Sequence, residues 1–495
     1  MSVYYDRLSN LDASFLALES RSTHMHVGAV ARFGPGPATD GVGVDIDLIR
    51  RIIESKLHLI PRYRQRLATI PLERHPVWVD DEHFHLDYHV RHVALPHPGT
   101  DDQLKALAGR LMSQQLDRSK PLWELNIVEG LADGGFAIIT KIHHCMVDGV
   151  SGIDLMAVIL DFSDQVAVGE SEPWEPRPAP RGTELAVREI SRAISSLVAS
   201  VTDLGSVGAD FGDRLATWTH RLKASMASLG SGWLTPAART AINGPIGPGR
   251  SFEWLQLPLD DVKAIKNTHR ATVNDVMLAV VAGAVRTFLL EETGSREIDL
   301  DGYDFRVMAP VSVRTRSERG TLGNKVAMWL ITMPIAEPDP VERLRILAAE
   351  TRELKETDQA LGASTLVAAS TGAPAVLVSM GTRLAARARP FNMTVTNVPG
   401  PQFPLYLAGS PMTATYPLVP LWESHGIGVA MFSLLGKVDI GLNTDRDLIP
   451  DPTRFADAIE ASFKELLAAP ARSEPEVAAA PSKANVKKSP PMGTR

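Results

Sequence analysis

Cysteine is the scarcest residue of this 495-residue sequence, which contains a single one, Cys145. A single cysteine excludes an intrachain disulfide and a cysteine-rich zinc site, and it is typical of proteins from a reducing compartment. An excess of basic residues is also absent, since the formal net charge is -7. Because a protein that binds DNA or RNA needs a basic surface, we expect no nucleic-acid partner.

Long apolar segments are scarce as well. The first twenty residues include four charged ones, Asp6, Arg7, Asp12 and Glu19, and these interrupt the apolar core that a secretory signal needs. The longest apolar stretches, such as residues 276–285, are much shorter than the roughly 20 residues that cross a bilayer. We therefore predict a cytoplasmic protein whose contact with a membrane is peripheral.

The composition that remains is that of a folded protein, with 44% hydrophobic and 22% charged residues. A chain of this length exceeds one ordinary core, so we predict two lobes with a cleft between them. Residues 169–181 are rich in Pro, Glu and Ser, which is typical of a connector. The predicted divisions are a first lobe at 1–168, a connector at 169–250 with amphipathic helices near 187–201 and 211–229, a second lobe at 251–468 and a disordered tail at 469–495.

A histidine pair follows a predicted strand of the first lobe. Residues 122–128 and 136–142 are apolar runs typical of buried strands, and the ADGG sequence between them favours a turn. Residues 143–149, HHCMVDG, therefore begin where the second strand ends. Ser151 with Asp154 resembles a capping box, which predicts a helix at about 152–160. The histidines thus lie in a loop between a strand and a helix.

The second lobe is predicted to combine a buried helix with several strands. Thr272 with Asp275 resembles another capping box, and the helix that follows at 273–290 is apolar almost all round. Strands are predicted at 306–313, 325–333, 391–396 and 426–442. This mixture of helices and strands favours an architecture comparable to that of the first lobe.

Adjacent side chains at the end of a strand point in opposite directions. One histidine ring can therefore face a cleft while the other packs inward, although either could be a satisfied buried side chain. A metal site would need a third and a fourth ligand, and because no local spacing supplies them we expect no metal. Cys145 could be a nucleophile, but we favour a small buried cysteine.

The HHCMVDG sequence resembles the HHxxxDG motif of condensation-type acyltransferases and, more narrowly, that of the bacterial wax ester synthase and diacylglycerol acyltransferase family. The narrower resemblance continues along the chain in the family's order. Its segments are LSNLDASFL at 8–16, MHVG at 25–28, KPLWE at 120–124, TVNDVMLA at 272–279, PVSVR at 310–314, GN at 323–324 and TNVPGP at 396–401. The connector and the tail match least.

The resemblance implies an α/β fold of two lobes with mixed sheets, like those of condensation domains and CoA-dependent acyltransferases, with a tunnel between the lobes. A long-chain acyl-CoA would enter the tunnel as co-substrate from one side and an alcohol from the other, with no permanently bound cofactor. The activity would be O-acyl transfer to diacylglycerol, and also to long-chain fatty alcohols. Because the products are insoluble, we expect the enzyme at a membrane or lipid-inclusion surface.

The resemblance also implies roles for the motif residues. His144 would be the general base for the acceptor hydroxyl, which a neutral imidazole with an ordinary pKa of about 6.5 can be. No acyl-enzyme would form. His143 would pack inward and Gly149 would permit a tight turn. Asp148 could be a second acid-base group or a metal ligand, but we favour a role in which it holds the loop through an arginine, for which Arg62 is a candidate.

Polar residues of the second lobe could complete the site. Asn274, at the start of the buried helix, could donate a hydrogen bond to the oxyanion, or it could only satisfy backbone groups of the helix. Ser312 and Asn397 could be polar groups of the cleft or purely structural.

Two other functions compete with this one. A homologue that binds lipid without turnover would keep the tunnel, although the intact His144 argues against it. A sister transferase of the same fold would acylate a polyketide-type alcohol. The preferred acceptor, the acyl chain length and the oligomeric state are not predicted from the sequence.

Overall fold

The structure is a computed structural model, and it describes residues 4–39, 43–71, 75–146, 155–180, 182, 184–185, 235–292, 300–312, 326–361 and 389–470. Strands of the first half are β1 Asp6–Arg7, β2 His26–Phe33, β3 Gln65–Thr69, β4 Pro76–Asp80, β5 Val90–Ala94, β6 Trp123–Glu129 and β7 Phe136–His143. Strands of the second half are β8 Arg250–Pro258, β9 Arg306–Ser312, β10 Val326–Thr332, β11 Met393–Val398, β12 Tyr406–Leu407, β13 Ser410–Leu418, β14 Ile427–Leu434 and β15 Lys437–Asp445. The α-helices are α1 Asn10–Leu18, α2 Ile46–Lys56, α3 Leu86–His89, α4 Asp101–Met112, α5 Leu155–Ile159, α6 Leu259–Thr268, α7 Val273–Glu292, α8 Pro340–Leu361 and α9 Thr453–Ala468.

Two six-stranded sheets form the two lobes, with strand orders β12-β13-β2-β7-β6-β5 and β10-β9-β11-β14-β15-β8. Both sheets are mixed, because β5 pairs with β6 in parallel and β11 pairs with β9 and β14 in parallel, whereas the other pairs are antiparallel. A smaller sheet of order β1-β4-β3 belongs to the first half. The predicted fold class, two lobes with mixed sheets, is confirmed.

The histidine pair is reached through the most buried strand of the first sheet. All eight residues of β7 are buried, and the strand lies between β2 and β6. The turn before it contains Gly134 with a φ of 76°, a conformation that glycine adopts without a steric penalty. Strands β6 and β7 occur as predicted, and because β7 has a neighbour on each side, His143 ends a central strand and not an edge strand.

Helix α7 is the centre of the second lobe. Thr272 and Asp275 form the predicted capping box, with the Thr272 N–H donating to Asp275 Oδ2 at 2.8 Å and the Asp275 N–H donating to Thr272 Oγ1 at 3.2 Å. By length and composition α7 could cross a membrane, but 72% of its most apolar window is buried inside the protein. It packs in one core with α6, α8 and α9, as expected for a buried helix.

The chain crosses from the second lobe back to the first through β12 and β13, because β13 pairs with β2 in antiparallel fashion from Met412 to Leu418. The predicted division at residue 251 did not include this crossing. The predicted strand region 426–442 is a hairpin of β14 and β15, whose turn contains Leu435 with a φ of 47° and Gly436 with a φ of 77°. Both features bring second-lobe strands against the first sheet.

Several predictions fall outside the described residues. They are the capping box of Ser151 with Asp154, the connector helices at 187–201 and 211–229, segment 323–324 and the tail beyond residue 470. The helix predicted at 152–160 is described from Leu155 to Ile159.

Candidate active site

Backbone hydrogen bonds shape the loop that carries the histidine pair. The chain turns from β7 directly into a 3-10 helix, His144–Met146. The His143 N–H donates to the carbonyl of Leu122 at 2.9 Å, and the His144 N–H donates to the carbonyl of Met25 at 2.7 Å. The Cys145 N–H donates to His143 Nδ1 at 3.1 Å. The His143 side chain therefore caps the turn in which His144 lies.

The two rings differ in their access to solvent. His143 is fully buried, whereas His144 is half-buried. The His144 ring stacks on Phe15 of α1, with the ring centroids 3.9 Å apart and the planes 25° from parallel. An apolar ring on one face limits the orientations of the imidazole and lowers the entropy lost when it meets a substrate. The arrangement is consistent with the predicted roles, in which only His144 contacts the acceptor.

Glu19, which the sequence analysis did not select as a site residue, lies beside the pair. Its side chain is 4% exposed, and its carboxylate pairs with the Arg118 guanidinium through Nε at 2.9 Å and Nη2 at 2.5 Å. The carboxylate also lies 3.4 Å from His26 Nε2 and 3.8 Å from His143 Nε2. Glu19 is therefore the charged centre of a buried polar cluster.

Burial sets the charge of the two rings, and their charged and polar neighbours set that of Glu19. Burial lowers the pKa of His143 to about 3 and the pKa of His26 to about 4, although Glu19 opposes both shifts. Burial alone would raise the pKa of the Glu19 carboxyl, but His26, His143 and Arg118 outweigh it and bring the pKa to about 2. At neutral pH both rings are thus uncharged and Glu19 is ionised. Because Nδ1 of His143 accepts from Cys145, the His143 proton resides on Nε2, on the side of Glu19.

No single segment of the sequence would have revealed this cluster. Glu19 follows an apolar helix, His26 begins β2, and register pairs His26 with His143 across the sheet. The only local signal is a charged residue at the end of an apolar helix, which is also common where a helix simply reaches solvent. The closure of α1, β2 and β7 around the carboxylate is a tertiary effect.

Cys145 has the environment of a structural residue. It is 2% exposed, and burial raises the pKa of its thiol well above the usual value. A thiol that stays protonated is a poor nucleophile. The prediction of a small buried cysteine is confirmed by its burial.

The other predicted residues have varied positions. Arg62 donates to Asp6 at 2.5 Å and to Gln65 at 2.9 Å, so it has partners within the first lobe. Asn274 lies half-buried in the first turn of α7, and no hydrogen bond joins it to the histidine pair within the described part of the chain. Ser312 ends β9, and Asn397 lies half-buried in β11.

Asp148 and Gly149 lie outside the described residues, so their roles remain predictions. Across the residues that the structure does describe, no three His, Cys, Asp or Glu side chains are arranged to hold a metal ion.

Comparisons with solved structures define the class of this fold. A wax ester synthase/diacylglycerol acyltransferase from Marinobacter aquaeolei VT8 matches with a TM-score of 0.64 and 26% identity, over 93% of this chain and 98% of that one. The starter condensation domain of rhizomide synthetase, solved as a mutant with C8-CoA and Leu-SNAC, matches with a TM-score of 0.54 and 13% identity, over 94% of both chains. The protein therefore has the two-lobed fold that these wax ester synthase/diacylglycerol acyltransferase and condensation-domain structures share.

Family comparisons are more specific. The wax ester synthase/diacylglycerol acyltransferase catalytic domain matches residues 8–277, and the WS/DGAT C-terminal domain matches residues 322–467. A probable diacylglycerol O-acyltransferase of Mycobacterium tuberculosis is 31% identical over 94% of this chain and 96% of its own length. Another from the same species is 33% identical over 92% of this chain and 97% of its own. The chain belongs to the wax ester synthase/diacylglycerol acyltransferase family, as its motifs predicted, and is an acyltransferase.

Proposed function

We propose that this protein transfers the acyl group of a long-chain acyl-CoA to the hydroxyl of diacylglycerol, forming triacylglycerol, and that it also accepts long-chain fatty alcohols. The observation that carries the proposal is the half-buried His144 ring, held at the end of a buried strand within the family's own motif. Family membership supports the acyl donor and the lipid acceptor.

The chemistry is direct transfer. A ring nitrogen of His144 takes the proton of the acceptor hydroxyl while the oxygen attacks the thioester carbonyl. The tetrahedral intermediate collapses, the carbon–sulfur bond breaks, and the CoA thiolate recovers the proton from the imidazolium. Asn274 is the proposed donor to the oxyanion, and Asp148 with Gly149 holds the loop.

The buried cluster favours this role of His144. During the reaction His144 becomes positively charged, and a second cation beside it would oppose that step. The pKa of His143, about 3, keeps the neighbouring ring neutral at physiological pH. Glu19 is balanced by Arg118, so the cluster brings no net positive charge to the base.

The test is an assay of purified protein with a labelled long-chain acyl-CoA, in which diacylglycerol and a fatty alcohol are supplied as acceptors in separate reactions. We expect His144→Ala to lower kcat by about 10²- to 10⁴-fold, as for the loss of a general base, while the protein stays folded. His83→Ala, at an exposed histidine of the first lobe, is the control and should retain full activity. Near-normal turnover by His144→Ala would remove the proposed base, and wild-type protein that binds lipid without turnover would favour a silent homologue.

The proposed place of action is the cytoplasmic surface of a membrane or of a lipid inclusion, bound peripherally, because both acceptor and product partition into lipid. Fractionation of lipid-loaded cells should recover the protein with membranes or inclusions, and high salt or carbonate should release it. Recovery entirely in the soluble fraction would contradict this location.

A further inference from the structure

The loop that joins α1 to β2, residues 19–25, supports the histidine pair from one side. Its last residue, Met25, accepts the hydrogen bond of the His144 N–H at 2.7 Å, and its first, Glu19, faces His143. Within the loop, the Ser20 N–H donates to the Thr23 carbonyl at 2.9 Å. A displacement of this loop at Met25 would therefore disturb a hydrogen bond that holds the backbone of His144.

Arg250, the first residue of β8 in the second lobe, reaches this loop. Its guanidinium donates through Nη2 to the carbonyl of Ser22 and through Nη1 to the carbonyls of Gly247 and Gly249, at 2.8 and 2.9 Å. Its own backbone N–H donates to Ser113 Oγ, just beyond α4, at 2.8 Å. The side chain is thus a cross-lobe contact, three residues away from the carbonyl that holds His144.

The guanidinium is itself fixed. Asp445, opposite Arg250 in the β8–β15 pair, places Oδ2 3.5 Å from Nη1, and both side chains are almost completely buried at 2% and 0% exposure. The backbone N–H groups of Gly247 and Leu448 donate to the Asp445 carboxylate at 2.8 and 2.9 Å, so the carboxylate cannot rotate freely. A buried ion pair contributes little net stability. Its effect here is to hold a planar donor in one orientation.

We propose that Arg250 is a positioning residue, which uses the second lobe to fix the loop 19–25 and thereby the backbone of the base. Lysine cannot replace it, because one ammonium cannot span the carbonyls of Ser22, Gly247 and Gly249 with the fixed geometry of a guanidinium. The inference rests on the proposed role of His144.

The first test is Arg250→Lys, which keeps the charge. We expect kcat to fall by about 10- to 100-fold, since a displacement of about 1 Å at a reacting group has effects of that size. The KM values for acyl-CoA and acceptor should stay within about twofold, because neither substrate contacts the guanidinium in this proposal. The matched control is Arg343→Lys, at an arginine that is 2% exposed and donates, within the second lobe, to Glu465 and to the carbonyls of Glu337 and Pro338.

A rescue experiment separates positioning from general stability. Arg250 lines part of a cleft of about 290 Å³ between α4 and β8, and Arg250→Ala removes the guanidinium and leaves space for a small cation of the same shape. Millimolar methylguanidinium should raise kcat of Arg250→Ala several-fold and should not change kcat of Arg343→Ala. If Arg250→Ala does not fold, Arg250→Lys alone decides.

The outcomes are distinct. The inference is overturned if Arg250→Lys is folded and its kcat is within about twofold of wild type. It is also overturned if kcat falls only in proportion to the folded fraction of the protein, as in Arg343→Lys. His144→Ala is included in every assay. If that variant is as active as wild type, the proposed base has failed; if it is inactive while the Arg250 variants turn over normally, only the positioning role has failed.

Discussion

At the scale of single residues, burial keeps two groups next to His144 uncharged. The pKa of His143 is lowered to about 3 and that of the Cys145 thiol is raised well above its usual value, both because the groups are buried. Neither group carries a charge at neutral pH. His144 is half-buried, which is consistent with the role of base proposed for it.

Cys145→Ala tests direct transfer. We expect kcat within about twofold of wild type and a loss of stability of about 1 kcal/mol or less, because the substitution removes one buried sulfur atom and keeps the backbone hydrogen bond to His143. Intact-mass spectrometry of wild-type protein with acyl-CoA should show no added acyl group. A thioester trapped on Cys145, together with an inactive Cys145→Ala, would establish an acyl-enzyme instead.

Among the helices, α7 and α9 pack closely against each other at a glycine of α7. A Cβ built on Gly283 would lie 2.1 Å from Ser462 Oγ, 2.8 Å from Arg343 Nη2 and 3.0 Å from Ser462 Cβ. The helices can pack at this distance only because Gly283 has no side chain.

Gly283→Ala should therefore destabilise the protein by about 1 to 3 kcal/mol despite the better helix propensity of alanine, because the new methyl group overpacks the contact. Urea unfolding measures the change. Adding Ser462→Gly removes both clashing atoms of that residue and should recover part of the loss. If Gly283→Ala is as stable as wild type, the contact is not as tight as described. The same follows if the double variant loses more free energy of unfolding than the two single variants lose together.

At the scale of the whole molecule, the Asp439 side chain forms a hydrogen bond between the two six-stranded sheets. It lies in β15 of the second lobe, and its carboxylate accepts the N–H of Thr415 in β13 of the first sheet at 2.7 Å and the side chain of Gln256 at 2.7 Å. Burial raises the pKa of this carboxyl to about 6, although the hydrogen bonds from Thr415 and Gln256 and the nearby Lys437 oppose the shift. The contact between lobes thus contains a carboxyl group that burial favours in its protonated form.

This pKa predicts a pH dependence of stability. Between the unfolded value near 4 and the folded value, the native state binds more protons than the unfolded state, so the contribution of Asp439 falls as pH rises through about 4 to 6. Asp439→Asn should flatten this segment of the stability profile, because an amide does not titrate. Thermal and urea unfolding from pH 4 to 8 would check it, with the exposed Asp457→Asn as control. If the stability of Asp439→Asn changes with pH in the same way as that of wild type, the raised pKa of Asp439 is contradicted.

Local pattern was sufficient for the elements around the histidine pair. The apolar runs of β6 and β7, the ADGG turn and the capping box of α7 are signals contained within a few neighbouring residues, so the predicted strands and helix agree with the structure to within about two residues, a normal uncertainty for element ends. The family motifs also identified the acyltransferase family correctly.

The return of β12 and β13 to the first sheet, the convergence of Glu19, His26 and His143, and the reach of Arg250 to Ser22 were not predictable from pattern. Each joins residues far apart along the chain, and a buried charge carries no local signal of the partner it will meet. Which lobe a strand joins, and which carboxylate faces which ring, depends on packing that forms only when both sheets are assembled.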